Sequence, residues 1–168
     1  PRRLEAEAIR DSILQATNQL DQTMFGKGTL DESMRRRSIY FTVKRSKLVP
    51  MLQVFDVPEP LVSQGQRPTT TVAPQALLLL NNPHLRKCCE DRAMELLKLG
   101  LENPQLVDTL YQSSLSRPPQ KRELVKAADF LQSQTVSYQQ SGVTDAQAQA
   151  TADLIQLLFC LNEFCYVY

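Results

Sequence analysis

The chain of 168 residues holds one histidine, His84, and its four cysteines form no C-x-x-C pair and no C-x-x-C-H word. Zinc and covalently attached c-type haem both need such ligand sets, so the sequence supports neither, and no cofactor is expected in this segment. The signatures G-x-S-x-G, H-E-x-x-H, G-x-x-x-x-G-K-[ST] and G-x-G-x-x-G are all missing. A catalytic triad or Cys-His pair would have to use His84, which follows Pro83 at a helix start and reads as an exposed first-turn residue. The longest apolar run, Ala76 to Leu80, falls far short of the roughly 20 residues of a membrane span. Charge of one sign is not in excess either. Lysine and arginine (19) against aspartate and glutamate (18) leave +1, without the basic surplus that a dedicated nucleic-acid binder brings to phosphate.

What remains is enough for a fold. A chain of ~150 residues buries about two thirds of its unfolded surface around one core, so residues 1–168 read as a single domain. No charged-then-apolar leader opens it. The start at Pro1, already inside a helical pattern, leads to the expectation of a fragment of a larger multidomain protein.

Apolar residues at helical spacing predict a first helix from Arg2 to about Leu20, with Arg3, Glu7, Arg10 and Asp11 on a solvated polar face. Gly26 and Gly28 open a loop. From Ser38 the period becomes two, because Ile39, Phe41 and Val43 alternate with Tyr40, Thr42 and Lys44; this predicts a strand near residues 38–44 with Phe41 in the core. Its backbone donors need a partner, for which Thr69 to Val72 and Cys165 to Tyr168 are the candidates. Pro50 suits the first turn of a short helix through Met51, Leu52 and Phe55, and Pro58, Pro60, Gly65 and Pro68 keep the chain irregular up to Thr71. Gln75 to Leu80 is apolar on nearly every side and predicts a turn central to the core. Asn82-Pro83, Asn103-Pro104 and Arg117-Pro118-Pro119 then punctuate successive helices, Ser141-Gly142 is a turn, and Thr144 is placed to cap a last helix running to Phe164. The predicted fold is mainly α, a bundle of five to six helices with a small β element.

Three groups are candidates for chemistry. Asp56 and Glu59 form the nearest local carboxylate pair for glycosidic hydrolysis, although Asp56 before Val57-Pro58 equally suits an Asx-type turn. Arg35, Arg36, Arg37, Lys44, Arg45 and Lys47, interleaved with Tyr40 and Phe41, read as a solvated or internally paired basic edge, with docking surface and polyanion site as alternatives. Cys88 and Cys89 share a helical stripe with Leu85, Ala93 and Leu96 and read as small buried hydrophobes. A disulfide between the pair Cys88 and Cys89 and the pair Cys160 and Cys165 is the alternative, and its pairing is undetermined.

Several ordered words carry a resemblance: Arg2-Arg3-Leu4-Glu5-Ala6-Glu7 with Ile9-Arg10-Asp11, Arg36-Arg37-Ser38-Ile39-Tyr40 with Lys44-Arg45, Phe55-Asp56 before Pro58, Thr71-Val72-Ala73-Pro74-Gln75, Arg117-Pro118-Pro119 with Glu123, and the terminal Asn162-Glu163-Phe164. With them the chain resembles the carboxy-terminal part of a planctomycete-specific domain of unknown function. That domain closes large exported proteins, often carrying a planctomycete-type cytochrome c module. The family often has a cysteine and adjacent arginines where this chain reads Ser63-Gln64-Gly65-Gln66-Arg67. The resemblance implies an extracytoplasmic setting, in a periplasm-like compartment or at the cell surface. It also implies partners among the remaining domains of a parent chain or another protein. The favoured expectation is a non-catalytic packing or interaction module. The alternatives are a glycan-binding or glycan-processing module and a docking partner of the cytochrome c module. If a ligand is bound, Tyr40, Arg45, Asp56, Arg67 and Gln75 are the residues expected to meet it.

Overall fold

The structure is a computed structural model that describes residues 1–61 and 63–167. Among these, eight α-helices, one 3-10 turn and a two-stranded sheet make a mainly α fold. Helix α1 (Ala6–Ala16) is shorter than its apolar pattern predicts. Asn18 takes a left-handed backbone (φ 58°) and the Gln19 amide donates back to the Leu14 carbonyl at 2.8 Å, which closes the helix in a Schellman turn.

Helix α2 (Pro50–Val54) starts on its proline and ends the same way, with Asp56 at φ 63° and the Val57 amide donating to Leu52 O at 3.0 Å. Helix α3 spans Ala73–Asn81. Helix α4 (Pro83–Lys98) is capped by Asn82, whose Oδ1 accepts from the amides of His84 and Leu85. Next come α5 (Asn103–Leu115), for which Glu102 rather than Asn103 is the N-cap, and α6 (Lys121–Gln140), which closes at Gly142 in the left-handed region. The final helical stretch is broken. Helix α7 (Ala146–Phe159) is capped at Asp145 without the expected Thr144 side-chain bond. It stops at Cys160, and α8 (Asn162–Cys165) restarts after Leu161. The extra short helices raise the count above the five or six expected.

Helix α7 is the centre of the bundle and packs against α4 on one side and α6 on the other. Its amino-terminal half can lie between two neighbours because Ala148, Ala150 and Ala152 are buried and small. The other half buries Ile155, Leu158 and Phe159, with the Phe159 and Phe164 rings 4.7 Å apart. Polar side chains tie the helices at defined points. Arg86 donates to Asp153 and Gln149 at 2.5 Å, Tyr138 donates to Asp153 at 2.9 Å, and Gln156 donates to the Leu79 and Leu80 carbonyls that end α3. Arg117 reaches Glu123 and Glu163 together and joins the start of α6 to α8. Those bonds hold the Glu123 carboxyl down at about 2.

The β element lies elsewhere than expected. Strand β1 (Arg2–Arg3) pairs antiparallel with β2 (Tyr166–Val167), Arg2 opposite Val167 and Arg3 opposite Tyr166. The carboxy-terminal segment proposed as a strand partner therefore does pair, but with the start of the chain; its Tyr168 lies outside the described residues. Residues 38–44 form no strand. Ser38–Tyr40 is a 3-10 turn, and the segment makes only isolated bridges, Thr29 with Phe41 and, across a tight turn, Lys44 with Lys47. The reason is a competing acceptor: Asp11 takes both the Ser38 amide (2.8 Å) and its hydroxyl (2.6 Å) and turns the chain at that point. Of the three residues read as one apolar face, only Phe41 packs against the core, while Ile39 and Val43 are about three-quarters exposed (74% and 73%). Helix α3 also departs from expectation. Only Leu79 and Gln75 are buried, and Leu77 and Leu80 face outward, because the helix rests on one side against α2, α4 and α7.

Candidate functional site

The polar face of α1 is the largest correction to the sequence reading. Arg3, just before the helix, and Arg10, two turns later, are buried (7% and 6% exposed). Strand pairing of Arg3 with Tyr166 and the Leu4 amide bond to Cys165 O fix the backbone at the helix entrance. The guanidinium then points into the long loop after α2. It donates to Asp56 Oδ2 at 2.7 Å, to Phe55 O at 3.3 Å and to Thr70 O. Asp56 in turn accepts from the Thr70 amide at 2.7 Å and from its hydroxyl at 2.9 Å. Gln75 completes this knot from α3, its Nε2 donating to Val54 O at 3.1 Å and Thr70 O at 3.2 Å. Burial pushes the Asp56 carboxyl up, but the bonds from Thr70 and Arg3 outweigh it and hold the group below the ordinary carboxylate range.

Arg10 does the same for the loop before α2. It donates to Arg36 O at 3.1 Å, Ser38 Oγ at 3.2 Å and Met34 O, and its guanidinium lies 4.7 Å from the Phe41 ring centroid. Asp11, the next residue, receives Ser38 as described above. Helix α1 and the strand residue before it thus use Arg3 and Glu7 on the 56–70 loop and Arg10 and Asp11 on the 34–38 loop. Arginine suits both places because its fork can satisfy several carbonyls at once and stays charged when buried.

The five residues expected to meet a ligand divide accordingly. Asp56 and Gln75 come together, bonded to Thr70. Arg67 lies nearby at the rim, paired with Glu7 at 2.8 and 3.0 Å and within 3.3 Å of Glu5. A polar cleft of about 310 Å³ separates Arg67, Gln66 and Thr69 from Arg2, Arg3 and Asp56. Tyr40 belongs to another cluster: its hydroxyl accepts from the Phe25 amide at 2.7 Å and Arg36 stacks on its ring at 3.6 Å. Close approach at that point depends on Gly28, where a Cβ would meet Thr42 Oγ1 at 2.8 Å and Tyr40 O at 3.0 Å. Arg45 is exposed in the Lys44–Lys47 turn, apart from the others. Glu59, the other half of the local carboxylate pair, does not take part in the Asp56 knot, and Asp56 itself closes α2 rather than forming an Asx turn.

In the basic edge Arg35 pairs with Asp91 at 2.9 Å, Arg36 donates to the carbonyls of Thr23, Phe25 and Lys27, and Arg37 lies 3.8 Å from Asp11. Lys44, Arg45 and Lys47 face solvent. All four thiols are free; Cys89 is fully buried and Cys88 half-buried, and burial raises both. Among the described residues no helix is long and apolar enough to cross a membrane.

Arg3, Arg10, Asp11 and Thr70 are the residues that sequence reasoning passed over. Their signal was a charged stripe at positions 3, 7, 10 and 11, facing two long irregular segments with too few backbone partners of their own. No curated protein and no solved structure matches the chain. A family profile matches residues 1–131, which takes in α1, both irregular loops and every residue of the two knots, and stops within α6. The chain therefore belongs to the family described as PSD1, Protein of unknown function (DUF1553).

Proposed function

We propose that this chain is a non-catalytic interaction module of a larger exported protein, one that docks against other domains of its parent or against a partner protein. The observation that carries this reading is the use of its polar residues. Asp56, Gln75, Arg3 and Arg10, the best-placed polar side chains around the long loops, are engaged with one another and with the chain's own loop backbone, so they hold the fold together instead of facing a substrate. Apolar side chains meanwhile remain on the outside of α3, of α7 and of the break that follows it, among them Leu77, Leu80, Leu157 and Leu161. In the planctomycete-type setting suggested by the resemblance, such a module closes its parent chain on the extracytoplasmic side. Turnover assays on a broad glycan and ester panel test the reading. No activity above background is expected, and activity that disappears in Asp56→Asn or Arg67→Ala would overturn it.

The polar cleft beside Asp56 and Arg67 favours a second reading, glycan binding. Its rim offers Arg2, Gln66, Arg67 and Thr69 as donors. A glycan array probed with the wild-type chain and with Arg67→Ala decides it: signal lost in the variant supports glycan binding, and no binder above background removes it.

A further inference from the structure

A second, smaller cavity of about 110 Å³ lies on the other side of α1, between that helix, residues 32–35, the start of α2 and the first turns of α4. Its walls are apolar: Ile13 and Leu14 from α1, Met51 from α2, Leu85 from α4, and Met34, whose carbonyl is tied to Arg10. Its charged lining is unbalanced, because Arg10, Arg35 and Lys87 face it with only Glu32 in opposition. Asp91 serves Arg35 and Lys87 together, at 2.9 and 3.0 Å, so one carboxylate is divided between two cations. Asp11, the carboxylate nearest Arg10 at 3.5 Å, is already occupied by Ser38.

We propose that this cavity binds a small organic acid, an apolar ring or short branched chain held in the Ile13, Leu14, Met51 and Leu85 pocket with its carboxylate turned to Arg35 and Lys87. At about 110 Å³ the cavity is smaller than the roughly 150 Å³ apolar cavity that takes up benzene, but it is open on one side, so it can hold the apolar part of one small acid while the carboxylate stays at the mouth. The charge fits as well. An arginine beside a lysine at the mouth of an apolar pocket gives a carboxylate charge-assisted bonds that a neutral isostere does not receive. Cys88 stands in the same wall, half-buried, and supplies a built-in reporter.

The test uses the full chain with benzoate and its neutral counterpart benzyl alcohol as probes. Calorimetric titration measures affinity, and the alkylation rate of Cys88, read by peptide mass spectrometry, localises it. Benzoate is expected to bind and to slow Cys88 alkylation, with benzyl alcohol weaker by about tenfold. The R35A/K87A double variant is expected to erase that preference; both side chains are at least half exposed, so the fold tolerates the change. Arg35→Gln alone is a milder check and should reduce the preference in the same direction. Failure of benzoate to bind the wild type, binding that leaves Cys88 alkylation unchanged, or a preference for benzoate that survives in R35A/K87A would each overturn the proposal.

Discussion

Two halves of this molecule are held together by different physics. The bundle from α4 to α7 is stabilised by apolar burial around α7, with the alanine-rich turns letting α4 and α6 approach and Phe159 filling the far end. The half between α1 and α3 has little regular structure. It is held by side-chain donors that capture carbonyls and by carboxylates that capture amides, with α1 as the common support. Apolar packing tolerates rearrangement among side chains of similar volume. A knot such as Arg3, Asp56, Thr70 and Gln75 has no equivalent substitute, because Arg3 and Gln75 are buried and Asp56 nearly so, and each of these left alone is a polar group shielded from water without a bond. The family profile covers all of the knotted half and ends within the bundle.

The sharpest break in the bundle is Phe159→Ala. It should cost about 3–5 kcal/mol and lower the protection of every helix together, as global unfolding by denaturant would show. Arg3→Ala comes next, at about 3 kcal/mol, with the loss concentrated in residues 55–72 and read by limited proteolysis of that loop. Arg10→Lys keeps the charge but loses the fork and the stacking on Phe41, and is expected to cost about 1–2 kcal/mol with loosening confined to residues 34–42.

Acid gives a smaller, graded probe. Asp56, Glu7, Glu123 and Glu163 all have folded pKa values below their ordinary ones. Their contribution is therefore fully present above about pH 4.5. It is lost as the pH falls through the folded values, which reach about 2 for Glu123. The melting temperature should fall over that window, and less steeply in Glu123→Gln. The smallest effect belongs to the half-exposed Arg67 and Glu7 pair: a double-mutant cycle should give a coupling under ~1 kcal/mol that shrinks further in high salt.

The contrast also explains what could be read from the sequence. Bundle helices announce themselves through 3.6-residue periodicity and through Asn82-Pro83 and Ser141-Gly142 punctuation, and they stand close to where these signals put them. The knotted half was misread wherever the deciding partner is distant. Ile39-Tyr40-Phe41-Thr42-Val43 has a strand's alternation, but the amide of Ser38 just before it is taken by Asp11, 27 residues earlier, and the chain turns there. Arg3 and Arg10 fall on the hydrophilic stripe of an amphipathic helix, where exposure is the ordinary outcome, and only the course of the two loops covers them. The α3 leucines show the reverse case. Hydrophobicity on every side suggested a central helix, but neighbours cover one side only. The five candidate ligand residues are grouped by their nearness in sequence to the long polar loop; that criterion serves Asp56, Arg67 and Gln75, whereas Tyr40 is taken up by Phe25 and Arg36 and Arg45 by the Lys44–Lys47 turn, partners that sequence distance does not reveal.

The central claim is that polar residues on α1 and in the strand just before it fasten the chain's own loops. Amide hydrogen exchange in Arg3→Ala, compared residue by residue with the wild type, tests it most directly. The account predicts faster exchange at Thr70 and through residues 55–72, with α4 to α7 keeping their wild-type protection. Unchanged protection at Thr70, or an equal loss across the whole bundle, would contradict it.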